Sequence, residues 1–395
     1  MRRSIGIVTT SRADYGIYQS LLRRIHADPT LELRVFVSGM HLSPEFGATV
    51  GDIERDGFPI TARVEMLLSS DTPQAISKAI GLGILGFAQA LEHNRPDMLV
   101  LMGDRFDMFA AAVAAVPFGL PLVHIHGGEI TEAAIDDVLR HACTKMSHLH
   151  FPATHAYANR LIQMGEEPWR ITVAGAPALD DLEEANPGEN EVAAAVHLDA
   201  EALAQALLVT YHPVTLESGD AARQIGNLLD ALRTTGRTVI FTSPNADTGG
   251  RALVHRIRDF SNTYPHARVV ANLGRALYFG LMRRVAAMVG NSSSGVIEAA
   301  SFGLPVVNVG NRQRGRLRTC NVIDCGYGRE DITRAMERAL SPEFRHSLRG
   351  LVNPYGDGHA AERIVQVLKH ATLGEALLKK LFCDHELPIA AAQAS

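Results

Sequence analysis

Short, almost uninterrupted apolar segments alternate with amphipathic segments along most of this chain, and the whole alternation occurs twice. Apolar segments of this kind are typical of parallel β-strands that are covered by helices on both faces of the sheet. The first set of strands is predicted at Ile5–Thr9, Leu33–Val37, Met98–Met102, Leu122–Ile125 and Ile171–Ala174. The second set is predicted at Leu207–Tyr211, Thr238–Phe241, Ala267–Ala271, Val285–Val289 and Val306–Val309.

The alternation weakens between Leu182 and Gln205, where the sequence is rich in Ala and Glu. We therefore predict an α/β protein with two Rossmann-like, doubly wound domains, residues 1–178 and residues 205–358, which suits a length of 395 residues. A last helix within residues 359–380 is expected to cross back onto the first domain. Ligands of such sheets bind at the carboxyl ends of the strands, so the active site is expected in the cleft between the domains.

Composition argues against several classes of partner. The net charge is -5 and the basic residues are interspersed with acidic ones, whereas proteins that bind nucleic acids or anionic membranes usually cluster them. The apolar segment from Phe109 to Ile125 is interrupted by Pro117, Gly119 and Pro121, and predicts a buried helix followed by a strand. We expect no nucleic-acid partner and no membrane partner.

The four cysteines show no CxxC spacing, and the first residues lack the apolar stretch of a signal peptide. Both features favour a reduced, cytoplasmic protein without structural zinc or disulfides.

The turn after the first predicted strand carries Arg12 and Asp14, close to the beginning of a helix. Anions bind at helix N-termini, so an arginine there is a candidate ligand for a phosphate, with Asp14 as a further substrate contact. The alternative is that Arg12 and Asp14 pair with each other in a solvated turn. No GxGxxG motif is present, which disfavours a dinucleotide site of the usual kind.

A serine-rich turn, residues 290–295, follows the strand Val285–Val289 and precedes a helix predicted to begin at Val296. Small residues let a ligand approach the backbone, and free N–H groups with hydroxyls can hold a phosphate. The candidate ligands of a nucleotide are Ser292, Ser293, Gly295 and, one turn further on, Glu298. The alternative is an ordinary helix cap by serine. No Lys-Ser or Lys-Thr follows, so this is not a Walker A loop.

Acidic residues follow two strands of the first domain and begin the next helix. The candidate general acids and bases are Asp104, Glu129, Asp136 and Asp137. Carboxylates gathered on the floor of a cleft suit acid–base chemistry, because burial and like charge separate their pKa values. The adjacent Arg105 and His126 are predicted substrate contacts. The alternative for Asp104 is an N-cap of the helix that begins near Arg105.

A metal site at the same place is an alternative. His124 and His126 alternate on one strand and so face the same side, with Glu129 nearby. We expect no metal, because His124 is predicted to lie inside the sheet and spacing alone supplies no third ligand.

The second domain presents its own polar strand ends to the cleft. His212 ends the first strand there and is a candidate acid, base or phosphate ligand. Asn245 follows the next strand. Arg312 and Arg316 lie in a loop after a third strand and are candidates for contact with an anion. For the two arginines the alternative is a solvated basic loop.

Taken together, these segments resemble the hydrolysing UDP-N-acetylglucosamine 2-epimerases. The matching strings are TSRADYG, GDRFD, HIHGGE, DDVLRHACTKMSHLHF, YHP, PNADTGG, GNSSSG and NRQRGR, in the family's order between residues 5 and 330. The resemblance implies a GT-B-like fold, no cofactor, and a homodimer or homotetramer. It also implies conversion of UDP-N-acetylglucosamine to N-acetylmannosamine and UDP, by elimination to a 2-acetamidoglucal and then hydration.

The resemblance also assigns roles to residues of this sequence. Asp104, Glu129 and Asp137 are the implied catalytic carboxylates, with Asp136 an almost equal candidate for the last role. The implied diphosphate contacts are Arg12, His212, Ser292, Ser293 and Arg312. Glu298 is the implied ribose contact, and Asn245 lies on the nucleotide side.

Three other functions stay open at this stage. A close relative within the family acts on a nucleotide-linked 2,4-diacetamido-2,4,6-trideoxy sugar, as used in legionaminic acid synthesis, and the motifs do not separate the two substrates. A GT-B glycosyltransferase would use the same nucleotide site with an acceptor, and a non-catalytic sensor would return its ligand unchanged.

Overall fold

The computed structural model describes residues 2–70, 72–131, 135–182, 186–212, 220–242, 250–270 and 273–384. Its strands form two six-stranded sheets in which every paired neighbour runs parallel. The strands of the first sheet are β1 (Arg3–Thr9), β2 (Leu31–Ser38), β3 (Ile60–Val64), β4 (Met98–Met102), β5 (Leu122–Ile125) and β6 (Leu149–Phe151). Those of the second are β7 (Leu207–Thr210), β8 (Val239–Thr242), β9 (Ala267–Val270), β10 (Ala287–Gly290), β11 (Val306–Val309) and β12 (Val322–Cys325).

Helices connect the strands in both domains. The first eight are α1 (Arg12–Ala27), α2 (Val50–Arg55), α3 (Pro73–Asn94), α4 (Phe106–Ala115), α5 (Ile135–Met146), α6 (His155–Gln163), α7 (Glu189–Ala195) and α8 (Ala200–Gln205). The next eight are α9 (Ala221–Thr234), α10 (Gly250–Thr263), α11 (Gly274–Met282), α12 (Ser294–Ile297), α13 (Arg329–Leu340), α14 (Pro342–Ser347), α15 (Ala360–His370) and α16 (Glu375–Leu378).

Both sheets have the same strand order. The first is β3-β2-β1-β4-β5-β6 and the second is β12-β11-β10-β7-β8-β9. Within each sheet the first and fourth strands are therefore neighbours, and the chain turns away from them in opposite directions. This is the topological switch point where α/β proteins bind ligands. Arg12, Asp104, His212 and Ser292 follow β1, β4, β7 and β10 in that order, and the sequence singled out each of them.

The predicted fold class is confirmed, and most predicted strands agree with observed ones to within two residues. One prediction is wrong: Ile171–Ala174 is not a strand, and only Ile171 forms an isolated bridge, to His150. The strand at that edge is β6, which is short and carries a histidine, so its apolar pattern is weak. The short strands β3 and β12 were not predicted.

The C-terminal helix α15 packs against the first domain. Its apolar face, which includes Ile364 and Leu368, joins the buried cluster formed around the first sheet. Asp180 fixes the beginning of this helix, because its carboxylate accepts hydrogen bonds from the backbone N–H groups of Ala360 and Ala361, at 2.8 and 2.6 Å. The chain therefore crosses twice between the domains.

A hydrogen-bonded ring of two tyrosines joins the domains. Tyr157 and Tyr355 share a hydrogen bond of 2.8 Å between their hydroxyls. The backbone N–H of Leu317 donates to Tyr157 Oη at 3.1 Å, and Tyr355 Oη donates to the carbonyl of Leu317 at 2.8 Å. Both hydroxyls and both backbone groups are hydrogen-bonded, so the ring fixes the position of Leu317 and Tyr355 of the second domain against Tyr157 of the first.

Among the described residues, helix α3 is long and apolar enough to cross a membrane by length and composition. Length and apolarity are weak evidence here, since a core helix passes the same test. One face of α3, which includes Phe87 and Leu91, is fully buried in the first core, while Leu82 and Leu85 on another face are exposed.

Candidate active site

The turn after β1 is held by a buried carboxylate. Asp14 accepts hydrogen bonds from the hydroxyls of Thr10 and Ser11, at 2.8 and 2.9 Å, and from the backbone N–H of Thr10 at 3.1 Å. Burial raises the pKa of Asp14, and the hydroxyl donors offset this only in part. Asp14 therefore shapes the turn, and its prediction as a substrate contact is left to experiment.

Arg12 does not pair with Asp14, so that alternative is wrong. Its guanidinium Nε lies 3.5 Å from Asp52 on α2, and the side chain is 58% exposed. An exposed ion pair of this kind contributes little to stability. Arg12 is thus available at the end of β1, where the sequence predicts a diphosphate contact.

A buried arginine links two of the predicted catalytic carboxylates. Asp104, in the loop after β4, forms an ion pair with Arg140 of α5. Asp137 Oδ1 lies 3.4 Å from Arg140 Nη1 and accepts a hydrogen bond of 2.7 Å from the backbone N–H of Thr131. Asp104 does not cap α4: the N-cap residue is Arg105, and no side chain caps that helix. The capping alternative is wrong.

Asp136 and Asp137 are neighbours on α5 with different surroundings. Asp137 is engaged by Thr131, Arg140 and, at 3.5 Å, by His141 Nε2.

Asp136 instead contributes to the field at Arg105. The pKa of Arg105 is raised chiefly by the charge of Asp107, and Asp136 adds to this effect. The buried Asp107 lies 3.3 Å from Arg105 Nη2. Asp136 and Asp137 therefore act on different groups: Asp136 acts through its charge on Arg105, and Asp137 through its contacts with Thr131 and Arg140.

Glu129 is the carboxylate at which the two domains meet. His126 Nδ1 lies 2.7 Å from Glu129 Oε1, and Arg316 of the second domain lies 3.5 Å from Glu129 Oε2. Burial acts to raise the pKa of Glu129, but the charges of His126 and Arg316 outweigh it and hold this pKa below its ordinary value. His126 itself has a backbone φ of 65°, a left-handed conformation that turns the chain sharply after β5.

The other histidines of this region belong to the sheet. His124 is fully buried, and its ring nitrogens lie 3.1 Å from Thr144 Oγ1 and 2.8 Å from the carbonyl of Gly103. His150 is bonded to Glu166 at 2.9 Å. Over the residues that the structure describes, no cluster of three or more His, Cys, Asp or Glu side chains could hold a metal.

The nucleotide side is organised by one fully buried amide, Asn291. Its Oδ1 accepts the backbone N–H of His212 at 2.7 Å, and its Nδ2 donates to the carbonyl of His212 at 2.8 Å. The carbonyl of Asn291 accepts from Arg312 Nη1 at 3.1 Å and from Gln313 Nε2 at 2.9 Å. Asn291 therefore holds together the ends of β7 and β10 and the loop that carries Arg312.

The imidazole of His212 is buried and neutral. Burial lowers its pKa to about 3, and the charge of Arg312 acts in the same direction. The predicted role as an acid near neutral pH is therefore disfavoured in this environment. A neutral imidazole can still donate one N–H to a phosphate oxygen.

The serine-rich turn lies beside His212. Ser292 is almost fully buried, and its hydroxyl accepts the backbone N–H of Ser294 at 3.3 Å. Ser293 is the N-cap of α12 but makes no side-chain cap bond, so the serine-cap alternative applies only to Ser292. Gly295 is needed for packing, because a Cβ there would lie 2.9 Å from Val306 Cγ1.

Glu298 follows α12 and has an unusual environment. Burial raises its pKa to about 7, and one carboxylate oxygen has no hydrogen-bond partner among the described residues. A group that donates hydrogen bonds to this oxygen would favour the ionised form. Asn245 lies outside the described residues, so its predicted place on the nucleotide side is untested.

Three functional candidates were missed or understated by the sequence. Arg140 and Asn291 were not singled out, because each lies inside a recognised motif but acts on residues from other elements. Arg316 was predicted to contact an anion, and in the structure it lies beside the carboxylate of Glu129. These contacts join residues that are far apart in the sequence, and the contact of Arg316 with Glu129 also joins the two domains.

Comparison with known proteins identifies the family. A sequence profile described as UDP-N-acetylglucosamine 2-epimerase matches residues 23–369. The chain belongs to this family. It is a 2-epimerase of the UDP-sugar kind, which decides against the glycosyltransferase alternative.

The relatives differ in the substrate that they are named for. The chain is 38% identical over 382 residues to the UDP-N,N'-diacetylbacillosamine 2-epimerase (hydrolyzing) of Legionella pneumophila, covering 96% of this chain and 99% of that one. It is also 38% identical to the GDP/UDP-N,N'-diacetylbacillosamine 2-epimerase (hydrolyzing) of Campylobacter jejuni, covering 97% and 99%. Identity to the UDP-N-acetylglucosamine 2-epimerase of Neisseria meningitidis is 28%, covering 96% and 98%.

A solved structure supports the fold independently. The crystal structure of UDP-GlcNAc 2-epimerase from Neisseria meningitidis, bound to UDP-GlcNAc, superposes with a TM-score of 0.80 at 17% identity, covering 92% of this chain and 99% of that one. The GT-B-like arrangement of two Rossmann-like domains is thereby confirmed.

Proposed function

We propose that this protein is a hydrolysing 2-epimerase of UDP-N,N'-diacetylbacillosamine, that is, UDP-linked 2,4-diacetamido-2,4,6-trideoxyglucose. The observation that carries the proposal is the 38% identity, over nearly the whole chain, to two enzymes named for this reaction. The relative named for UDP-N-acetylglucosamine shares only 28%. This proposal replaces UDP-N-acetylglucosamine as the main expectation and keeps the same chemistry.

The nucleotide half of the substrate would occupy the second domain. The neutral imidazole of His212, the hydroxyls of Ser292 and Ser293, and the guanidinium of Arg312 would bind the diphosphate. The free carboxylate oxygen of Glu298 would accept the ribose hydroxyls, which stabilises the ionised form of a group that is otherwise half protonated near neutral pH. Arg12 would approach the diphosphate from the first domain.

The reaction then needs one base and one water on the sugar side. A base removes the proton from C2, the C1–O bond breaks, and the electron pair of the C2–H bond forms the C1–C2 double bond of the glycal as UDP departs. UDP is a stable leaving group, so neutralising its charge matters more than protonating it. Water then adds at C1, and a proton returns to C2 on the face opposite to the one from which the first proton was removed. The product is the free 2-epimeric sugar.

Asp104, Glu129 and either Asp136 or Asp137 would supply the proton transfers. The C2 proton is poorly acidic, so its removal requires a carboxylate held in close contact. The pKa of Glu129 is held below its ordinary value next to His126 and Arg316, so its carboxylate is ionised and can act as the base. Assembly as a homodimer or homotetramer, which the family resemblance implies, is part of the same proposal. So is a cytoplasmic location, which the few cysteines without CxxC spacing favour.

The substrate proposal is tested by competition between two sugar nucleotides. Purified protein is given equal concentrations of UDP-N,N'-diacetylbacillosamine and UDP-N-acetylglucosamine, and free sugars are followed by NMR. We expect 2,4-diacetamido-2,4,6-trideoxymannose to accumulate first, with kcat/KM higher by about 100-fold, since two altered ring substituents each contribute about 1–3 kcal/mol. Equal or preferential conversion of UDP-N-acetylglucosamine would overturn the substrate assignment.

A further inference from the structure

Arg140 lies at the centre of the predicted carboxylate cluster, yet it touches solvent almost nowhere. Its side chain is 2% exposed. The guanidinium Nη2 pairs with Asp104 and donates to Thr131 Oγ1 at 3.0 Å. The guanidinium Nη1 lies 3.4 Å from Asp137 Oδ1. These acceptors come from three places in the chain: the loop after β4, the loop after β5, and α5 itself.

A buried guanidinium is costly, so its presence requires an explanation. Moving a charge out of water costs several kcal/mol even after the protein relaxes, and apolar residues of similar size often give equal or better stability. Burial lowers the pKa of Arg140 to about 9, and the charges of Arg316 and Arg160 act in the same direction. The surroundings therefore disfavour the charged form of the guanidinium. Stability alone is therefore a poor reason for an arginine here.

The geometry of the guanidinium supplies a better reason. Two carboxylates that face one cleft repel each other and drift apart unless a cation lies between them. A planar guanidinium offers donors in fixed directions, so it can hold two carboxylates from different elements at a set separation. A lysine amine at the same place would supply the charge without the directions.

We propose that Arg140 is a positioning residue for proton transfer, which fixes Asp104 and Asp137 relative to the C1–C2 bond of the sugar. This inference rests on the proposed function and deepens it. Arg140 contacts neither reactant; it acts through the two carboxylates. Removing it leaves the nucleotide contacts of the second domain in place, since none of them involves α5.

The test compares Arg140→Ala and Arg140→Lys with Arg170→Ala. Arg170 is the matched control, because its side chain is also fully buried in the first domain. It donates to Glu167 and to the backbone carbonyls of Leu377 and Lys379, and so holds the C-terminal segment. Each variant is assayed for kcat of UDP release, for UDP affinity by calorimetry, for Tm, and for the response of kcat to added guanidinium chloride at non-denaturing concentration.

We expect kcat of the Arg140→Ala variant to fall by about 100-fold or more, because a displacement of about 1 Å at reacting groups costs that much. Its affinity for UDP should stay within about threefold, and guanidinium ion should restore kcat at least about tenfold by occupying the vacated space. The Arg140→Lys variant should be intermediate and unresponsive to guanidinium. The Arg170→Ala variant should lose Tm, keep kcat within about twofold, and show no rescue.

Several results would overturn the proposal: an Arg140→Ala variant with nearly normal kcat, a parallel loss of UDP affinity, or equal rescue of Arg170→Ala. If the Ala variant does not fold, Arg140→Lys decides, since it keeps the charge and most of the volume. A Lys variant with unchanged kcat would contradict the positioning role. Failure of the proposed function is distinguishable, because the wild-type protein would then release no UDP from either sugar nucleotide.

Discussion

Arg316 extends from the second domain to within 3.5 Å of Glu129 in the first, and both side chains are largely shielded from water. Glu129, the carboxylate proposed to act on the sugar, therefore contacts residues of both domains. Under the proposed function, neither domain alone would contain a complete site. The contact also ties the ionisation of Glu129 to the position of a loop in the other domain.

Substituting Arg316 should shift the pH dependence of activity. Glu129 is ionised above its pKa and protonated below it, and Arg316 helps to hold that pKa low. In Arg316→Gln the pKa of Glu129 rises, so the loss of kcat/KM on acidification should begin at a higher pH. The measurement is a pH profile of kcat/KM, whose acid limb is compared between wild type and Arg316→Gln. An unchanged limb in Arg316→Gln would show that the contact has no electrostatic effect.

Asp104→Asn should abolish product formation and leave UDP binding intact. The amide keeps the shape of the side chain but cannot accept a proton, which we expect to cost about 10²–10⁴-fold in kcat. The nucleotide contacts lie in the second domain, so the Kd for UDP, measured by calorimetry, should stay within about twofold of wild type. Loss of UDP binding would instead identify Asp104 as a structural residue.

The variants Asp136→Asn and Asp137→Asn should differ in their effects on the protein. Asp137 is held by the backbone of Thr131 and by Arg140, so Asp137→Asn should lower both Tm and kcat. Breaking charged, partly buried hydrogen bonds of this kind costs about 1–3 kcal/mol. In Asp136→Asn, a loss of kcat by about 100-fold would assign the proton transfer to Asp136. Normal kcat in Asp136→Asn would leave Asp137 as the catalytic acid of this pair.

Asn291→Ala should weaken UDP binding through His212 and Arg312. Its amide makes both backbone hydrogen bonds of His212, and a buried group left unpaired costs about 1–3 kcal/mol, so the Kd for UDP should rise by about tenfold. Asn308→Ala is the matched control: this buried amide of β11 donates to Asp324 at 2.7 Å. Equal Kd values for the two variants would contradict the organising role of Asn291.

The sequence was sufficient for the architecture because a strand buried on both faces needs a continuous apolar run. Strands β4, β5 and β11 match their predicted bounds for this reason. The prediction at Ile171–Ala174 was wrong because an apolar segment can pack at a sheet edge without pairing along its length. The neighbouring β6 contains His150, whose partner Glu166 lies 16 residues away, and no local pattern reveals that bond.

The sequence predicts which residues form the candidate site but not which contacts they make. Motifs at strand ends predict that Asp104, Glu129 and His212 lie in the cleft, since parallel strands end at one edge. The contacts that tune these groups join residues far apart in sequence, as Asn291 joins His212. Asp14 illustrates the reverse case, because its motif suggested a ligand contact while its hydroxyl partners lie within its own turn.

The central claim is that carboxylates of the first domain remove and return the C2 proton while the second domain holds UDP. Its most direct test is conversion of UDP-N,N'-diacetylbacillosamine in heavy water without any acceptor, followed by NMR. The account predicts UDP and free 2,4-diacetamido-2,4,6-trideoxymannose that carries one deuterium at C2. Unchanged sugar nucleotide, or a released sugar that keeps the original proton and configuration at C2, would contradict it.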